Sequence, residues 1–227
     1  MTSCCIGHTH FKFMKFLRFV LFFQLLCAES YDLPINPSHR IQPHIKSYKT
    51  LRDDKIVKQD LDYSCGAASL ATILNSYYGK NITEEELLVA MDKGDNKASF
   101  EDMAKALPQF GFKAQGFAAS FEQLAKLKIP VVVYLKHRKN DHFSVIRGID
   151  NEHVWLADPS LGNTTLSKRQ FLEMYNTRSE FDDNERLKGK FLAILPLQPQ
   201  TADQSFFSNS PKRQTEQARR QLIFRGF

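Results

Sequence analysis

Hydrophobic positions change their period along the chain, and the change divides it into regions. From Ser64 to Tyr78 the apolar residues Ala67, Ala68, Leu70, Ala71, Ile73, Leu74, Tyr77 and Tyr78 fall on nearly every side of a helical wheel. A helix without a solvated face must be covered by other elements, so this one is expected to be central, with Gly79 as its stop. Three further helices are predicted by their N-terminal pairs: Thr83 with Glu86, Ser99 with Asp102, and Ser120 with Gln123. In each pair a cap hydroxyl and an acidic or amide side chain three residues on can satisfy backbone N–H groups that the first turn leaves unpaired.

Beyond residue 128 the period shortens. IPVVVYLK (129–136), HFSVIRGI (142–149), HVWLAD (153–158) and KFLAILPL (190–197) are β-branched or alternating runs split by turn residues, which predicts strands, with one more helix at Ser167–Tyr175 between them. Helices first and strands afterwards imply an α+β fold in which a central N-terminal helix packs on an antiparallel sheet. Residues 56–197 make up that domain. Residues 31–55, with Pro34, Pro37 and Pro43, read as an extended segment, and residues 198–227, rich in Gln, Ser and Arg, as a disordered basic tail whose partner is not identified. No internal repeat is visible.

The first 30 residues change the expected compartment. Lys15 and Arg18 precede an apolar run from Phe19 to Leu26, and small residues stand at Ala28 and Ser30, which is the layout of a cleavable secretory signal over residues 1–30, with Met14 as an alternative start. The run is too short to remain as a membrane anchor. The expectation is an exported protein of a bacterial envelope, periplasmic or secreted, with no stable membrane span after signal removal. Signal removal would take away Cys4, Cys5 and Cys27 and leave Cys65 alone, unable to form an internal disulfide. The formal charge of +6 lies mostly at the ends: +2 in residues 1–30 and +3 in the tail leave +1 for the body. That distribution excludes a basic nucleic-acid face.

Cys65 opens the central helix, where unpaired N–H groups and the helix dipole favour an anion and lower a thiol pKa. Gly66, Ala67 and Ala68 beside it are expected to leave room for a substrate backbone to approach the sulfur. A thiolate nucleophile needs a base, itself oriented by a third group. Of His137, His142 and His153, the preferred base is His142: a hairpin centred on Asp150 places it opposite Asp158, each eight residues from the turn. His137 sits in a charged loop and His153 at the turn, where Asp150 reads as a structural residue. The backbone N–H of Cys65 and the side-chain amide of Gln59 are candidate donors to an oxyanion. One remaining cysteine and no HExxH spacing give no support to a metal site.

Gln59, five residues, then Cys65-Gly-Ala-Ala-Ser-Leu-Ala, followed by His142 and by Asp158 in ADPSLG, resembles the bacteriocin-processing double-glycine cysteine peptidases, a papain-like family. The resemblance runs from Gln59 to Leu195. It implies Cys65 as nucleophile, His142 as base, Asp158 as orienting acid, Gln59 as oxyanion-hole amide, no cofactor, and a peptide or protein substrate cut after small residues such as Gly-Gly. Ser64 stands where the transporter-linked members usually carry Asp, and this chain is expected to be a stand-alone exported member without ABC transporter domains. A cell-wall amidase or acyltransferase on the same fold, and a non-enzymatic peptide-binding module, are the alternative readings.

Overall fold

The structure is a computed structural model that describes residues 47–137, 140–177 and 187–207. Its helices are α1 (Tyr48–Arg52), α2 (Cys65–Ser76), α3 (Glu84–Met91), α4 (Phe100–Ala106), α5 (Phe121–Leu124) and α6 (Lys168–Tyr175). Its strands are β1 (Phe112–Ala119), β2 (Val131–His137), β3 (Asn140–Ile149), β4 (His153–Asp158), β5 (Gly162–Ser167) and β6 (Gly189–Pro196). They form one sheet in the order β1-β6-β2-β3-β4-β5, with every neighbouring pair antiparallel. No helix among the described residues is long and apolar enough to cross a membrane.

Alternation along the central strands explains how one sheet carries two cores. Val132, Phe143, Val145, Ala157, Leu192 and Ile194 meet α2, α3 and α4 on one face. Val131, Val133, Leu135, Ile146, Leu156 and Phe191 meet Phe121, Leu124, Phe171 and Tyr175 of α5 and α6 on the other. A strand covered on both sides has no polar face, hence the unbroken Val131-Val132-Val133 run. Helix α2 is buried throughout Cys65–Leu74, as its all-round apolar pattern requires. Thr83, Ser99 and Ser120 each cap a helix with a reciprocal partner three residues on, and Ser167 does the same with Gln170 for α6. The helix after Ser120 is a single turn.

Four expectations are corrected. Strands β1 and β5 were not foreseen; both are sheet edges, where a solvated face admits Lys113, Gln115 and Thr165. The segment 31–55 is not extended to its end, because Ser47 caps α1 by accepting from the Thr50 N–H at 3.1 Å, and Asn163 Nδ2 donates to the Asp54 carbonyl at 3.0 Å. Gly162, at φ +90°, has Arg52 Cγ and the Arg52 carbonyl 2.7 and 2.8 Å from where a Cβ would stand, so both backbone conformation and space require glycine.

The domain also does not stop at residue 197. Phe206 is 1% exposed beneath the Arg147 guanidinium, 4.9 Å from its ring centre. The Asp203 N–H donates to the Tyr77 carbonyl at 2.7 Å, and Lys55 Nζ pairs with Asp203 Oδ2 at 2.9 Å. Burying a phenylalanine contributes roughly 2 kcal/mol relative to leaving it in water, more than exposed pairs of this kind supply, so Phe206 is the anchor of the segment. The fourth correction is the β3–β4 register. Ile149 pairs with Val154 and Gly148 with Trp155, but a bulge around Arg147 shifts the ladder to Ile146 with Leu156 and Val145 with Ala157. Continued one step, it sets Asp158 opposite Ser144, so His142 lies diagonally two residues along and not directly across. The segments 1–30 and 208–227, assigned to a signal and to the rest of the tail, lie outside the described residues.

Candidate active site

Helix α2, strand β3 and the end of β4 deliver three side chains to one place. Cys65 is the first residue of α2 and is 3% exposed. Ser64 precedes it, but its hydroxyl donates to the Leu61 carbonyl at 2.7 Å and accepts from the Leu61 N–H at 3.2 Å, without capping the helix. The positive end of α2 therefore stays available to a negative charge at the sulfur.

His142 joins Cys65 to Asp158. Its Nε2 is 2.9 Å from Asp158 Oδ2, and the remaining ring nitrogen, Nδ1, is the one left to bond the sulfur. Asp158 is buried, and its other oxygen, Oδ1, accepts from the N–H groups of Ser160 and Leu161, both at 2.9 Å. With both oxygens engaged, the carboxylate has one orientation, and it fixes the plane of the imidazole.

The electrostatics of the three groups agree with one another. Burial alone pushes the Cys65 thiol up, but the bond from the His142 ring, the Phe143 backbone N–H and the charges of His142 and Lys97 together hold it below its ordinary range. Burial alone lowers His142; the hydrogen bonds to Asp158 and Cys65 and their charges outweigh it and raise the ring to about 9. Burial raises the Asp158 carboxyl, and the His142 bond and charge with the two loop N–H groups bring it below the usual carboxylate range. A depressed thiol beside an elevated imidazole is the condition for a thiolate–imidazolium pair near neutral pH.

Gln59 is tied to the loop that carries Asp158. Its N–H donates to the Pro159 carbonyl at 3.1 Å, its Nε2 to the Leu61 carbonyl at 2.9 Å, and its Oε1 accepts from the Ser160 hydroxyl at 2.6 Å. Both carboxylate oxygens of the buried Glu84 accept from the Asp60 N–H, at 3.2 and 3.3 Å, which holds the same stretch from the opposite side. His153 is near Asp150 at 3.7 Å, away from the sulfur, and Asp150 Oδ1 accepts from the N–H groups of Glu152 and His153 as a turn residue. The side chain of His137 lies outside the described residues.

The small residues after Cys65 need a different account. A Cβ on Gly66 would strike the Met103 methyl, with Phe143 Cδ2 at 3.5 Å, and Ala67 and Ala68 are fully buried. They bring α2 close to α4 and β3, and do not hold open a path to the sulfur. Lys97, the Phe143 N–H, Glu84 and Ser160 were not singled out from sequence. Only Phe143 carried a signal, as the neighbour of His142.

Residues 53–179, more than half of the chain, match the Peptidase C39 family. The Probable functional amyloid protease FapD of Pseudomonas fluorescens is 34% identical over 139 residues, which is 58% of this chain and 62% of the relative. The protein of the same name from Pseudomonas aeruginosa is 32% identical over 143 residues, 60% and 63% of the two chains. The chain thus spans less than two thirds of the length of either relative. The peptidase domain of Streptococcus ComA, a bi-functional ABC transporter, superposes with a TM-score of 0.52 at 21% identity, covering 62% of this chain and 97% of that domain. A double glycine motif protease from an AMS/PCAT transporter, solved with its leader peptide, gives 0.50 at 24% identity, covering 62% and 90%. At these identities the likeness is one of fold, and that fold is the papain-like arrangement of helix on antiparallel sheet. Sequence match and architecture agree: the chain belongs to the Peptidase C39 family.

Proposed function

We propose that this protein is an exported cysteine peptidase that cuts a polypeptide after a pair of small residues, with Cys65 as nucleophile, His142 as base, Asp158 as orienting acid and Gln59 as oxyanion donor. The observation that carries the reading is the 2.9 Å bond between Asp158 Oδ2 and His142 Nε2, on a ring that also lowers the thiol pKa of the buried Cys65. His142 Nδ1 takes the thiol proton, and the thiolate attacks the carbonyl carbon of the scissile bond. The Cys65 N–H and Gln59 Nε2 hold the oxygen that becomes negative. The imidazolium then gives its proton to the departing amine, leaving a thioester on Cys65. A water, deprotonated by the same ring, attacks that thioester and returns the thiol with release of a carboxylate product. The reaction draws on no cofactor.

Specificity for small residues is supported from two directions. Cys65 is only 3% exposed, which favours a substrate residue that brings little besides backbone to the sulfur. The solved protease of similar fold is itself a double glycine motif protease. Export is supported by the layout of residues 1–30, and the reading places the enzyme in the periplasm or outside the cell.

The test is a mass-spectrometric scan of a peptide panel and of muropeptides. Cleavage is expected after Gly-Gly, and changing the second Gly to Leu is expected to lower kcat/KM at least about 100-fold, the upper range for exclusion of extra carbons by a tight pocket. Cleavage restricted to cell-wall cross-links would replace this reading with an amidase. Tight peptide binding without turnover would replace it with a peptide clamp.

A further inference from the structure

Between residues 58–61 and 158–161, segments about a hundred positions apart, a short ladder of bonds converges on one serine. The Ser160 N–H donates to Asp158 Oδ1 at 2.9 Å, its carbonyl accepts from Lys58 Nζ at 2.5 Å, and its hydroxyl donates to Gln59 Oε1 at 2.6 Å. One residue therefore touches both the carboxylate that orients His142 and the amide assigned to the oxyanion. Its backbone serves the first, and its side chain serves the second.

The orientation of the Gln59 amide follows from its two partners. The Leu61 carbonyl can only accept, so the NH2 end must face it, and Oε1 is left to receive the Ser160 hydroxyl. Among the described residues, this arrangement engages one Nε2 hydrogen and leaves the second available to a substrate oxygen. An unrestrained glutamine amide in a partly exposed loop turns about its last torsion at little cost, and half of its orientations would offer an oxygen to an oxyanion. Such an orientation repels the transition state.

We infer that Ser160 is a positioning residue of this site, whose hydroxyl locks the Gln59 amide with its NH2 end free for the developing oxyanion. The inference rests on the oxyanion role proposed for Gln59 above. It separates two functions of the 158–161 loop: the main chain holds the acid, and one hydroxyl holds the oxyanion donor. Because Ser160 itself is exposed, a threonine there finds room for its extra methyl and keeps the hydroxyl.

The experiment measures kcat and KM on a cleaved Gly-Gly peptide for Ser160→Ala, Ser160→Thr, Gln59→Ala and the Ser160→Ala/Gln59→Ala pair, with the pH profile of Cys65 alkylation. Side-chain amide NMR is recorded alongside, with the Gln59 resonances assigned by their loss in Gln59→Ala. Ser160→Ala is expected to lower kcat about three- to tenfold, the range one ordinary hydrogen bond supplies, with KM within about twofold. Ser160→Thr is expected to restore it, and Ser160→Ala is expected to add nothing in the Gln59→Ala background. The Gln59 side-chain Nε2 and Nε2–H chemical shifts are expected to move in Ser160→Ala toward those of an unrestrained glutamine amide.

Losses that multiply in the pair, or an alkylation profile displaced in Ser160→Ala, would overturn the inference, since the serine would then act through Asp158. A Gln59→Ala variant with full kcat would overturn it together with the reading of Gln59. If no peptide is cleaved, the peptidase reading has failed, and unchanged Gln59 resonances in Ser160→Ala would overturn the positioning role independently of turnover.

Discussion

Cys65→Ala is expected to abolish turnover, and His142→Ala to lower kcat/KM by about 10³-fold, within the range that a general acid–base residue contributes. The two losses have different origins. Without the sulfur there is no acyl-enzyme, whereas without the imidazole the sulfur remains but loses the partner that draws off its proton and later protonates the leaving amine. His142 also supplies, after burial, the leading influence on the thiol: its hydrogen bond and charge lower the Cys65 pKa that desolvation raises. His142→Ala therefore leaves burial opposed only by the Phe143 N–H and the charge of Lys97, which favours the less reactive protonated thiol. Initial rates on a Gly-Gly peptide, with thermal melts to verify folding, measure both. A His142→Ala enzyme that keeps more than about a tenth of the parent rate would move the base to another residue.

Asp158→Ala should cost about 10²-fold in kcat/KM, less than loss of the base, because the imidazole remains present but unheld. The substitution removes the acceptor for Nε2 and frees the Ser160 and Leu161 N–H groups that the other carboxylate oxygen holds. The pH dependence distinguishes this mechanism from simple loosening. In the parent protein His142 is raised to about 9, in good part by the hydrogen bond and charge of Asp158, so the imidazolium persists until the pH passes that value. The alkaline limb of kcat/KM is expected near 9. Without the carboxylate, burial is opposed only by the sulfur, the ring loses its proton at lower pH, and the alkaline limb shifts toward acid. Asp158→Asn keeps an oxygen for the ring without its charge and should fall between the two. An alkaline limb unmoved in Asp158→Ala would show that the carboxylate does not set the ionisation of His142.

Where local rules act, the chain could be read directly. The N-terminal pairs at Thr83, Ser99 and Ser120 involve residues three apart, and the all-apolar wheel of α2 reports its own burial, so each was visible without knowing the fold. The pairing of His142 with Asp158 was legible because a hairpin is nearly local, yet its register was not: the bulge around Arg147 leaves no mark in the alternation. Edge strands β1 and β5 escaped because half of an edge strand's surface is wet, and Lys113 or Thr165 there looks like loop.

Long-range contacts were out of reach altogether. Phe206 under Arg147 and Lys55 on Asp203 join residues far apart in the chain, and no period announces them. The same holds within the site, where Gln59 and Ser160 meet across 101 residues. Gly66 misled for a related reason. Smallness is equally consistent with open space and with a neighbour that fills it, and only the position of the Met103 methyl decides between them.

The measurement that bears most directly on the central claim is the rate of iodoacetamide modification of Cys65 against pH, read by peptide mapping in the parent protein and in His142→Ala. A thiol lowered by the imidazole presents thiolate well below the ordinary thiol pKa of ~8.5, so the parent rate should already be substantial near neutral pH. Without His142 burial dominates, and the profile should move to higher pH. A parent profile that rises only around that ordinary value and coincides with the profile of His142→Ala would contradict the account, and would leave Cys65 as a packing residue at the head of a buried helix.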